Sequence, residues 1–173
     1  MYEFFVQAIG FIGAGLLIFS YQCKTNRQLF FLQLCSDFIY TSHFFLLGAY
    51  TGCISLALSF LANLVLYNNH KRWALWRGWK WVFGLLYVIS TMLTWEGPFS
   101  LLPCVAMLTA NFTNWSRNGK IIRLSRLLIA SPGWLIYNIH SRSYSGILCE
   151  SFSICSILIS IFRYGIKNLD QIS

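Results

Sequence analysis

The sequence predicts an all-α integral membrane protein. Seven transmembrane helices form two parallel triple-helix repeats around one connecting helix, three plus one plus three, with the N-terminus outside and the C-terminus inside. Three observations carry this expectation. First, 57% of the 173 residues are hydrophobic and 10% are charged, whereas a soluble domain carries roughly 25% charged residues. Second, the Lys and Arg residues fall almost entirely on one side of a seven-span division. Third, features of the first third of the chain recur in the last third.

The spans run at 4–22, 28–48, 52–68, 80–95, 99–115, 124–140 and 146–164. Helices are the expected form, because hydrocarbon offers no partner to unpaired backbone and the sequence lacks the alternation of a barrel strand. Gly10, Gly13, Ala14 and Gly15 give the first span a small face that lets another helix approach closely. The apolar start has no basic segment before it, and the first positive charge is Lys24, so this span is expected to remain as a helix. Gly97 and Pro98 break the chain between the fourth and fifth spans. Pro103 falls in the first turns of the fifth, and Pro132 in the middle of the sixth, where it allows a bend.

Lys24 and Arg27 follow the first span. Lys71, Arg72, Arg77 and Lys80 follow the third. Arg117, Lys120, Arg123 and Arg126 follow the fifth, and Arg163 and Lys167 end the chain. Only Arg142 lies on the opposite side. Short loops rich in Lys and Arg remain in the cytoplasm, and this sets the orientation. The net charge of +8 is spread over loop ends instead of one solvated face, so anionic lipid headgroups are the expected partners and nucleic acid is not.

The repeat is visible in small features. Ser20, Lys24 and Arg27 are matched 96 residues later by Ser116, Lys120 and Arg123. Tyr50-Thr51-Gly52 is matched 94 residues later by Tyr144-Ser145-Gly146. A three-helix unit ends on the side opposite its start, so a copy in the same orientation needs one extra crossing, which the fourth span supplies. The chain thus divides into a first repeat (1–70), a basic Trp-rich linker with the connecting helix (71–97), and a second repeat with a short tail (98–173).

This architecture resembles the SWEET and PQ-loop transporters and the PnuC vitamin transporters. The proline-glutamine pair of a PQ-loop protein is missing, since Gln22 follows Tyr21. A closer likeness runs through Ser20 to Leu29, His43 to Gly52, Thr94 to Pro103, Trp134 to Asn138, and then Gly146, Glu150 and Ile161 to Tyr164. These segments resemble the YgjV family of bacterial inner-membrane proteins. The resemblance implies a multi-pass protein of that membrane and leaves its activity open.

Polar residues inside spans are costly in hydrocarbon, so they point to function or to packing. Asp37 lies in the middle of the second span, with Gln33 and Tyr40 on the same face. Ser55, Ser59 and Asn63 form a stripe on the third span, and Ser153, Ser156 and Ser160 continue from Glu150 on the seventh. Ser59 and Ser153 correspond under the repeat. Asn111, with Thr109, Thr113 and Asn114, lies in the inner half of the fifth span. Asp37, Ser59, Asn63, Asn111 and Ser153 are the candidates for a solute pathway. Asp37, His43 and Glu150 are the candidates for a proton relay, with Asp37 and Glu150 expected at different depths. Arg72, Trp73, Trp76, Arg77 and Trp79 form an expected lipid-interface anchor, because the indole ring pairs an apolar body with a polar N–H.

The six cysteines show no CxxC and no His partner at metal spacing, so no metal or cofactor is expected. No nucleophile elbow, zincin motif or phosphate loop is present, so the chain is not expected to be an enzyme. The function expected is a transporter or facilitator of a small polar solute. The alternative is a non-transporting scaffold, sensor or lipid-binding protein. Self-association into a homo-oligomer is compatible with both.

Overall fold

The computed structural model describes residues 2–20, 26–68, 70–116 and 118–165. Lys24, Arg117 and Lys167 lie outside the described residues, as do the side chains of Arg27 and Ser160. The described chain is helical throughout: α1 (Tyr2–Ser20), α2 (Asn26–Leu46), α3 (Tyr50–Tyr67), α4 (Trp79–Leu93), α5 (Leu101–Ser116), α6 (Gly119–Ser125), α7 (Ser131–His140) and α8 (Tyr144–Tyr164). A π-helical segment, Arg126–Ala130, joins α6 to α7, so the two form one interrupted rod and the bundle has seven rods. Among the described residues no strand is present. By length and composition α1, α3 and α8 can each cross a bilayer; α4 is a shorter apolar helix.

The sixth rod begins at Gly119, earlier than the expected 124, because Asn118 caps it: its side chain accepts the Ile121 N–H at 3.0 Å. The expected bend at Pro132 takes the form of the π segment immediately before it. Proline has no N–H for the carbonyl four residues back, and its ring presses on that carbonyl. A widened turn absorbs the misfit without breaking the rod. Pro103 sits in the first turn of α5, where a missing N–H costs nothing. Gly48 (φ +73°) and Gly165 (φ +74°) adopt positive φ where helices end, and Gly97 (φ +123°) does so just before the Pro98–Ser100 turn.

Neighbouring rods pack in the order α1, α2, α3, α5, α6–α7, α8, and α8 returns to α1 to close a ring. Helix α4 lies outside that ring, against α3 and α5. The large apolar side chains point outward: Phe4 is 82% exposed, Leu93 80% and Phe162 87%. Ser36, His43, Ser131, Ser143 and Ser145 are fully buried. That inversion suits a molecule surrounded by lipid, since hydrocarbon accepts Phe and Leu but gives a hydroxyl no partner.

Glycines set how close the rods come. Ser36 Oγ donates to the Gly13 carbonyl at 2.8 Å, tying α1 to α2. A Cβ on Gly10 would lie 2.7 Å from the His43 ring, and one on Gly52 would lie 2.7 Å from the Tyr137 ring. A Cβ on Gly15 would meet nothing within 4 Å. Gly10→Ala and Gly52→Ala are therefore expected to destabilise the bundle by about 1–3 kcal/mol, the usual cost of overpacking. Gly15→Ala is the control and should be neutral. Thermal melting in detergent checks this, and equal midpoints for all three variants would contradict it.

Candidate functional site

The two ends of the bundle differ. At one end α1, α3, α5 and α8 begin and α2, α4 and α7 finish, and polar contacts close it. Helix N-termini leave backbone N–H groups without intrahelical partners. Two of these are capped from across the bundle. The Tyr50 N–H, opening α3, donates to a Glu96 carboxylate oxygen. The Tyr144 N–H, opening α8, donates to Gln7 Oε1 at 3.1 Å, and Gln7 Nε2 donates to the Arg142 carbonyl at 2.8 Å. Tyr137 of α7 reaches α3, where its hydroxyl accepts the Gly52 N–H at 2.9 Å. His43 of α2 reaches the start of α8, with Nε2 2.9 Å from Ser143 Oγ, and Nδ1 2.8 Å from the Val6 carbonyl. Val6 can only accept, so the proton belongs on Nδ1 and Nε2 accepts from Ser143. Thr51 and Ser100 join hydroxyls at 3.0 Å.

Inside the ring, a cavity of about 170 Å³ runs from mid-bundle toward the opposite end. That end carries every described Lys and Arg except Arg142. Phe44, Trp134, Asn138 and Gly146 border its closed end, while Gln33, Leu66, Asn114 and Ile122 border it toward the basic end. The volume accommodates several waters or a small solute.

Asp37 is the centre of the cavity wall. Ser59 Oγ and Asn63 Nδ2, both from α3, donate to its Oδ2 at 3.0 and 2.7 Å. The helical spacing of Ser59 and Asn63 stacks them one turn apart, so α3 presents both donors to one carboxylate oxygen. Among the described residues no donor reaches Oδ1.

Arg126 and Glu150 complete the charged lining. One guanidinium and two carboxylates thus border the same cavity. Arg126, counted among the basic residues of one side and two residues inside the expected sixth span, is the first residue of the π segment and lines the cavity. Glu150, expected at a different depth from Asp37, borders the same cavity. Among the described residues the buried Asn138 Oδ1 lacks a hydrogen-bond partner, and Asn138 lines this cavity. An unsatisfied buried polar atom costs about 1–3 kcal/mol.

The other expected site residues divide. Asn111 lines the cavity, but its Nδ2 already donates to the Lys80 carbonyl at 2.7 Å and ties α5 to α4. Ser153 is buried but does not border the cavity. His43 belongs to the sealed end, away from Asp37 and Glu150. In the linker, Trp79 stands edge-on to Trp73 and Trp76, with centroids 6.2 and 5.8 Å away, and its Nε1 donates to the Trp73 carbonyl at 2.8 Å. Arg72 and Arg77 are exposed beside this indole cluster. Among the described residues no group of three His, Cys, Asp or Glu side chains could hold a metal.

No curated protein and no solved structure matches the chain. Residues 4–168 match the family profile Imp-YgjV, described as bacterial inner membrane protein. With nearly its whole length covered, and with helices apolar enough to span a bilayer, the chain belongs to the Imp-YgjV family of bacterial inner membrane proteins.

Proposed function

We propose that this protein moves a small polar solute across the bacterial inner membrane, as a transporter or facilitator built from two parallel three-helix halves. The observation that carries the proposal is the cavity lined by Asp37, Ser59, Asn63, Asn111, Arg126 and Glu150, with the unpartnered Asn138 Oδ1 also on its wall.

The two halves in this reading are α1–α3 and α5–α8, with α4 as the connecting crossing. Equivalent positions 94 residues apart support it. Tyr50 and Tyr144 both have their N–H capped by a side-chain oxygen from outside their own half, Glu96 of the connecting segment and Gln7 of the first half. His43 and Tyr137, also 94 residues apart, each reach the start of the other half's third helix. Contacts exchanged at one end of the bundle are those expected of parallel repeats about an axis along the membrane normal. With the basic end in the cytoplasm, the closed end faces outward and the cavity faces inward. Rocking the halves would exchange those states, as in the SWEET-like architecture that the sequence resembles. The exposed Arg72 and Arg77 beside the indole cluster suit anionic headgroups at the cytoplasmic interface, and a lipid-binding scaffold is the second reading.

Reconstituted vesicles test the transport reading. At least one member of a panel of polyols, amino acids and amines should enter faster than into empty vesicles. Asp37→Asn should slow that entry about tenfold, the size of one lost charge-assisted hydrogen bond. If no member enters, or the variant is unaffected, the scaffold reading takes over. The orientation is tested separately by reporter fusions at the two chain ends. The N-terminal fusion should report the periplasm and the C-terminal one the cytoplasm. Both ends in one compartment would overturn the seven-crossing arrangement.

A further inference from the structure

We infer that the solute this cavity selects is a small organic ammonium ion, held by Asp37 Oδ1 against an aromatic wall. The inference rests on the transport reading for the cavity's purpose, but its chemistry stands on the lining alone.

The charge balance comes first. The cavity lining contains two carboxylates, Asp37 and Glu150, and one guanidinium, Arg126. The formal balance is one negative charge in excess. One guanidinium cannot neutralise both carboxylates. Asp37 is left with two neutral donors, both on Oδ2. Its Oδ1 takes no donor among the described residues, and Asp37 lines the cavity. A buried carboxylate in low dielectric needs a counter-charge or a full set of donors. A cationic donor supplies what the wall lacks.

The second line is independent of charge. Asn138 is 3% exposed, and among the described residues its Oδ1 has no hydrogen-bond partner. Asn138 Oδ1 can only accept a hydrogen bond. With Asp37 Oδ1 it makes two acceptors that lack a protein donor among the described residues. An ammonium group, with N–H donors only, matches that deficit. A carboxylate or phosphate, with acceptors only, would not.

The third line is the apolar wall. Tyr40 stacks on Phe44, with centroids 6.2 Å apart, and Phe44 lies 5.9 Å from Trp134. All three border the cavity. Aromatic faces attract cations within about 6 Å of the ring centroid. They also favour an ion with carbon attached over a bare metal ion, which would give up its hydration shell for rings that coordinate poorly. The 170 Å³ volume is larger than a dehydrated inorganic ion requires.

Binding to the purified full-length protein in detergent tests this, read as quenching or shift of Trp fluorescence, since Trp115 and Trp134 line the cavity. The probes are ethanolamine and choline as ammonium ions, ethylene glycol as the neutral analogue, acetate as the anion, and sodium and potassium chloride as inorganic cations. The ammonium probes should bind at least tenfold more tightly than ethylene glycol, the scale of one charged hydrogen bond. Asp37→Asn, which keeps the side-chain shape, should remove that preference without changing the melting temperature. If the variant melts early, the wild-type preference among probes still decides. Ethylene glycol binding as well as ethanolamine, or sodium or potassium binding as well as the amines, would overturn the inference.

Vesicle uptake of the same probes separates this idea from the one beneath it. Polyols that cross while amines neither bind nor cross would leave transport standing and end the ammonium assignment. Amines that bind but never cross would support the assignment and end the transport reading. No binding by any probe would overturn the assignment.

Discussion

The whole structure depends on one constraint: lipid outside the bundle cannot hydrogen-bond a polar group, so polar side chains must be satisfied within. The chain meets this constraint fully at one end and incompletely at mid-bundle. At the closed end, Glu96 and Gln7 each cap a helix start, and His43 and Tyr137 bridge between rods. Along the cavity, Asn138 Oδ1 and one oxygen of Asp37 have no protein donor among the described residues. That difference between the two regions is not readable from a list of polar residues alone.

The close approach of the rods follows from the same constraint. Without a hydrophobic driving force between helices in lipid, association relies on tight contact and on hydrogen bonds across the interface. Gly10 admits the His43 ring and Gly52 admits Tyr137, so each small residue makes room for the polar group that fastens the closed end. Gly146 plays a related part against Asn138, whose Oδ1 is one of the unpartnered atoms. Packing and site are therefore the same few positions. A substitution that loosens the seal also alters the border of the cavity.

Much of this is legible in the sequence, and the remainder is lost for identifiable reasons. The Asp37 face of α2 can be read from Gln33, Asp37 and Tyr40 at helical spacing, and all three line the cavity. The Ser59 and Asn63 stripe on α3 is readable in the same way, and both residues bond Asp37. Periodicity names a face, but it does not say which face of which helix it meets. Ser153 shows this: it corresponds to Ser59 by spacing and is buried, yet does not border the cavity. Arg126 shows the opposite error. A basic residue near a span end reads as a topology signal, and nothing local reveals that a π turn carries it into the lining. The pull of Pro132 on the turn before it is the only sequence signal for that geometry. Asn138 was legible only as a position in an apolar span, because an unsatisfied atom becomes visible only once its neighbours are placed.

The central claim is that the cavity is reached from the basic end and shut from the other. Cysteine accessibility measures it most directly, using Asn63→Cys in a chain whose native cysteines are replaced by alanine. A membrane-impermeant thiol reagent should label this position in inside-out vesicles and leave it unlabelled in right-side-out spheroplasts. Equal labelling from both sides, or none from the cytoplasmic side, would contradict the account.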